Sequence, residues 1–151
     1  MKRIVITLLV MAVLAAPVLV TTTSKHAVRT VYAQGGCSVA TLNGDYAFTQ
    51  PGWAGAGQGN QLPFFNVGVV AFDGTTGTVS ASFTGVSHGV VSTETDAGTY
   101  TVNPDCTGSM SFTTGPGAGV TFNMVIIGRG AELFGINTSA GFTSSLDAKK
   151  Q

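Results

Sequence analysis

From Leu42 onward apolar and polar residues alternate with a period of two, and clusters of turn-forming residues break the run at regular intervals. Successive side chains of a strand point to opposite faces, so this period predicts strands with one buried side. The pattern predicts strands over 44–50, 64–73, 77–84, 87–93, 98–103, 108–114, 119–128 and 131–138, with a candidate last strand over 141–146. Asn43-Gly44, Asp73-Gly74 with Gly77, Gly85, Asp96 to Gly98, Gly115-Pro116-Gly117 and Gly128 to Gly130 supply the turns. After residue 34 no stretch carries a convincing helical stripe.

Parity separates the two faces. Tyr46 and Phe48, Val70 and Phe72, Val79, Ala81 and Phe83, Tyr100 and Val102, Met110 and Phe112, and Phe122, Met124 and Ile126 each share one side of their strand. Their alternates are mostly Ser, Thr, Asn and small residues. One apolar face per strand, short connections and about eight consecutive strands predict an all-β domain. The expected architecture is a single antiparallel, mostly up-and-down β-barrel, a meander that curls until its edges meet. A two-sheet sandwich is the alternative.

The stretch GTYTVNPDCTGSMSF (98–112) organises this meander as a hairpin. Thr99 to Val102 are β-branched or aromatic, and Asn103-Pro104-Asp105 suits a type I turn because proline presets φ at the second position. Gly108 is expected to absorb a left-handed residue before the chain runs back. The hairpin also carries Cys106, one of two cysteines.

The N-terminus follows another pattern. Met1-Lys2-Arg3 and the apolar run Ile4 to Val20 have the layout of a secretory signal, with Val31-Tyr32-Ala33 as the expected cleavage site. Residues 1–33 are then a signal helix and leader, and 34–151 the barrel domain. An uncleaved anchor is the competing reading, because the seventeen residues from Ile4 to Val20 just reach bilayer-spanning length. Pro17 and the polar TTTSKH segment fit a processed leader better. The expected location is secreted or periplasmic, in the cell envelope, with no stable membrane insertion after processing. In an exported chain the even pair Cys37 and Cys106 predicts a disulfide. A lipoprotein cysteine is disfavoured, since Gln34-Gly35-Gly36 precedes Cys37 and the apolar run ends at Val20. A metal site would need more ligands than two cysteines with His26 and His88.

Composition narrows the partners. Charged residues make up 9% of the chain against roughly 25% in an average soluble protein, while the hydrophobic share is 44%. Surface polarity therefore comes from Ser, Thr, Asn and Gly. After residue 34 three cations face seven acids, a formal charge of −4 that excludes a nucleic-acid-binding surface.

Cys37, LNGDYAF (42–48), VGVVAFDGTTGTVS (67–80), GTYTVNPDCTGSMSF (98–112) and GAELFGINT (130–138) occur here in an order that resembles a group of small exported bacterial proteins. Their fold resembles the allene oxide cyclase and dirigent type of β-barrel, within the calycin-like architecture. The resemblance covers nearly all of the chain after the leader and implies a fold. It implies no catalytic residue, because the plant cyclase's catalytic positions do not map onto this chain one by one.

GWAGAGQGNQLPFF (52–65) is the longest irregular stretch, and such a loop on a barrel forms the mouth or lid of a cavity. Trp53, Gln58, Asn60 and Gln61 are its candidate ligand contacts; otherwise the segment is a connector whose Trp53 plugs the barrel end. Gly55 to Gly59 suggests a phosphate cradle but no helix follows it. Gln50 shares parity with Phe48, and Asn66 with Val70, so both amides are expected to point inward near one end and to orient a ligand. Tyr46 and Tyr100 are candidates to aim hydroxyls into the interior, against the plainer reading of core aromatics bonded to backbone. Glu94 and Asp96 beside His88 invite an acid–base role, but a loop before Gly98 would make them solvated acids. Asp73-Gly-Thr-Thr-Gly fits hairpin geometry better than calcium, and Asn137-Thr138-Ser139 is a formal glycosylation sequence.

These residues point first to a binding module for an apolar or amphipathic small molecule or a surface partner. A cofactor-free cyclase or isomerase is the second reading, and a structural envelope protein without a ligand the third. No cofactor is expected, and no oligomeric state follows from the sequence. An open or a filled interior separates the readings.

Overall fold

The computed structural model describes residues 36–55, 59 and 61–151; the segment 1–33 expected to be a leader, and Gln58 and Asn60, lie outside the described residues. A 3-10 turn at Val39–Thr41 leads into eight strands: β1 (Gly44–Ala54), β2 (Leu62–Asp73), β3 (Thr78–Ser87), β4 (Val90–Val102), β5 (Thr107–Thr114), β6 (Thr121–Ile127), β7 (Glu132–Asn137) and β8 (Phe142–Lys150). Each pairs antiparallel with the next, and β8 pairs with β1, so the sheet is a closed, eight-stranded up-and-down barrel. Closure leaves no sheet edge to be protected. Among the described residues no helix is long and apolar enough to cross a membrane.

Period two carries the core. Tyr46, Phe48, Val70, Phe72, Val79, Ala81, Tyr100, Met110, Phe112, Phe122, Met124 and Ile126 are all buried inside the barrel. The outer face is less polar than expected near one end. There Pro51, Phe65, Val86 and Val91 stand opposite one another across β1 to β4, and the last three are 47%, 43% and 67% exposed.

Four boundaries differ from expectation. The segments 87–93 and 98–103 are one strand, β4, and Asp96-Ala97-Gly98 runs straight through it rather than turning, opposite a bulge in β5 where Thr113 has no partner across the pair. A Cβ on Gly98 would run into the Ser111 carbonyl, which explains the glycine without a turn. Gly85 lies inside β3 for a similar reason, with the Asn66 side chain against it. β1 continues through Pro51 and Gly52 to Ala54, although its pairing with β8 skips Gln50 and Pro51, where proline has no N–H to donate. The candidate last strand is real, runs to Lys150 and closes the barrel.

The organising hairpin is β4–β5. Its left-handed residue is Cys106, with φ 66°, not Gly108. Gly108 is required because a Cβ there would run into the Thr101 carbonyl. Cys106 is bonded to Cys37 with Cα atoms 5.0 Å apart, a link across 69 residues. The bridge ties the N-terminal segment to one end of the barrel, where the Cys37 amide also donates to the Pro104 carbonyl at 3.2 Å.

That end is solid. Leu42 is fully buried. The Tyr100 hydroxyl lies 2.8 Å from the Leu42 carbonyl and 3.0 Å from those of Val39 and Asp73, and the Tyr46 hydroxyl donates to the Gly130 carbonyl. Phe72 stands edge-on between the two tyrosines, with ring centroids 5.3 and 4.9 Å away. Burial, with the Asp73 charge and Tyr46 adding to it, pushes the Tyr100 phenol up to about 12.

Candidate functional site

The opposite half of the barrel is hollow. A cavity of about 220 Å³ lies between the strand ends that lead to the β1–β2, β3–β4, β5–β6 and β7–β8 connections. Its apolar wall is built by the inward faces already described: Phe48 from β1, Val70 from β2, Phe83 from β3, Met110 and Phe112 from β5, and Phe122 from β6. Phe48 and Phe83 meet edge to face at 6.0 Å.

Polar groups enter this wall on two sides. On one side Asn66 Nδ2 donates to Gln50 Oε1 at 3.1 Å, and Gln50 Nε2 donates to Ser144 Oγ at 3.2 Å. Gln50 and Asn66 are direct cross-strand partners, so the alternation that buries Phe48 and Val70 also turns both amides inward. On the other side β4 presents Ser92, Glu94 and Asp96 to the cavity. Ser92 Oγ donates to Glu94 Oε1 at 2.7 Å. Asp96 is only 6% exposed and accepts the Gly117 N–H at 2.9 Å. Burial raises the Asp96 pKa, the Gly117 bond partly offsets this, and the Glu94 charge adds to the rise. A Cβ on Gly115 or Gly117 would collide with Asp96, so the glycines let the β5–β6 loop fold over this carboxyl.

Asn137 completes the wall from β7. Its Oδ1 accepts the Ser139 N–H at 2.8 Å. Its Nδ2 is buried without a hydrogen-bond partner, on a side chain only 8% exposed. The cavity lining, among the described residues, carries two carboxyl side chains and no Lys, Arg or His. Among the described residues no group of three or more His, Cys, Asp or Glu could hold a metal ion.

Of the residues singled out from sequence, Gln50 and Asn66 come together at the cavity. Trp53 does not join them. Because β1 runs on to Ala54, Trp53 falls on the outward parity, 48% exposed between Pro63 of β2 and Thr143 of β8. It therefore neither plugs the barrel nor covers the mouth, and Ala54 takes the inward place beside it. The irregular connection shrinks to 55–61, with Gln61 exposed. Tyr46 and Tyr100 lie at the closed end, their hydroxyls bonded to backbone carbonyls, outside the cavity.

Sequence reasoning missed Glu94, Asp96 and Asn137 as cavity residues. A signal was present: Ser92, Glu94, Asp96, Tyr100 and Val102 share one parity, which the assumed turn at 96–98 interrupted. Asn137 likewise shares parity with Leu133, and its inward amide makes no exposed glycosylation acceptor. No family model matches the chain, and searches of curated proteins and of solved structures find no match either.

Proposed function

We propose that this is an exported binding barrel that holds a small apolar or amphipathic molecule in its open half. The observation that carries this reading is the cavity: about 220 Å³, walled mainly by aromatic and aliphatic side chains, with polar groups converging from two sides. Its volume lies below the ~300–1,000 Å³ of sites for drug-sized ligands, so the ligand is small. The basic-then-apolar N-terminus and the Cys37–Cys106 bridge support export to an oxidising compartment.

The test is to fill the cavity. Ala81 is buried on β3 and lines the cavity, so Ala81→Phe, with Ala81→Leu as the milder variant, removes space while keeping the strand. Benzyl alcohol should raise the melting temperature of the wild type saturably and leave the folded variants unmoved. No saturable shift in the wild type contradicts the reading.

A second reading is favoured by one observation. A buried carboxyl with a raised pKa beside a second carboxylate is the arrangement of a proton donor, as a cofactor-free cyclase or isomerase would use. The resemblance to allene oxide cyclase-type barrels supports the same class. Recovering the natural ligand unchanged after incubation separates binding from conversion.

A further inference from the structure

We infer that the cavity selects small apolar amines that also carry a neutral oxygen acceptor, the class of amino alcohols and amino ketones, and rejects carboxylates. The inference rests on the reading of the open half as a ligand site, and concerns what that site recognises.

Two independent features point to it. The first is charge. Glu94 and Asp96 project from consecutive inward positions of β4, and among the described residues no cationic side chain lines the cavity to balance them. Among the described residues these carboxyls accept side-chain or backbone hydrogen bonds from Ser92, to Glu94, and from Gly117, to Asp96. Oxygen acceptors therefore remain for a ligand's N–H groups. In a partly buried site a carboxylate attracts a cation and repels an anion far more strongly than in water, and a ligand's cation in turn favours the ionised form of Asp96.

The second feature is Asn137. Its Oδ1 is engaged by the Ser139 N–H, which leaves the amide N–H groups as the free end. That end is buried on the cavity wall with nothing to donate to. A buried donor without a partner is uncommon, and here its missing partner is an acceptor from within the cavity. The Gln50 and Asn66 amide nitrogens each already donate one bond, to Ser144 and to Gln50, whereas the Asn137 amide nitrogen donates none. A ligand that satisfies both features needs a cationic or N–H end toward β4 and an oxygen toward β7, joined by an apolar body against Phe83 and Met110.

Calorimetry with four matched aryl probes tests this on the oxidised, processed protein: phenylethanolamine, phenethylamine, phenethyl alcohol and hydrocinnamate. The expected order of affinity is phenylethanolamine, then phenethylamine, then the alcohol, with hydrocinnamate weaker than phenethylamine by at least about tenfold. Glu94→Gln keeps the side-chain shape of a partly exposed residue and should reduce the amine's advantage over the alcohol about tenfold. Asn137→Ala should erase the advantage of phenylethanolamine over phenethylamine and leave the amine-over-alcohol preference in place. Circular dichroism confirms that each variant is folded; should Asn137→Ala not fold, Glu94→Gln alone decides the charge preference. Equal affinities, or tightest binding of hydrocinnamate, overturn the selectivity and leave the cavity as a binding site. Failure of all four probes overturns the binding reading itself.

Discussion

At Asp96 a carboxyl 6% exposed has one backbone N–H, that of Gly117, to stabilise its charge. Burial outweighs that bond and raises the pKa, so the folded protein holds this proton more tightly than the unfolded chain does. The sign follows: stability falls as pH rises from 3.8, the ordinary carboxyl value, through the raised native value, and is regained on acidification through the same window. Asp73 and Asp105 act oppositely. Side-chain and backbone hydrogen bonds from Thr76 and Thr75, and from Thr107, lower their pKa values, so their contribution is lost as pH drops below 3.8. Asp96→Asn keeps an oxygen for Gly117 and removes the charge. Thermal unfolding should show the wild type gaining stability from neutrality toward 3.8, while the variant lacks that gain. Identical pH profiles would show that Asp96 ionises without penalty.

Among the elements, the N-terminal segment and the β4–β5 hairpin determine which end of the barrel is closed. The bridge between them spans 69 residues and restricts the unfolded chain by about 4 kcal/mol in the loop-entropy model. Reduction, or Cys37→Ser with Cys106→Ser, should lower the unfolding free energy by about that amount in urea titrations; a loss below about 1 kcal/mol would mean that the Leu42 and Tyr100 contacts hold the segment alone. The hairpin was legible because β-branched residues flank a proline turn, and the cysteine pairing because two cysteines after a signal-like N-terminus have one economical solution. β4 was not legible as one strand. Asp96-Ala97-Gly98 reads locally as a turn, and only the approach of the Ser111 carbonyl explains a glycine inside the strand, beside the β5 bulge at Thr113. That single misreading turned Glu94 and Asp96 from inward residues into loop acids. The outward position of Trp53 was not legible for the related reason that Pro51-Gly52 reads as a strand end, whereas closure on β8 carries β1 to Ala54.

Across the whole molecule, one barrel has two unlike ends. The same alternation lines both, but the residues it turns inward differ: Leu42, Tyr46, Phe72 and Tyr100 fill the closed end, while smaller and polar side chains such as Ala81, Gln50, Asn66 and Ser92 leave space at the other. Sequence parity could assign a side chain to the interior, but whether the interior is full depends on how eight strands place their volumes at one level. Of the four methionines, Met110 and Met124 lie within the barrel, and only Met110 lines the cavity. Methyl-labelled methionine therefore gives one reporter at the site and one buried control away from it. Titration with phenethylamine, followed by NMR, should shift the Met110 methyl resonance saturably and leave Met124 in place. Equal shifts at both, or none at Met110, would contradict a ligand cavity in the open half of the barrel.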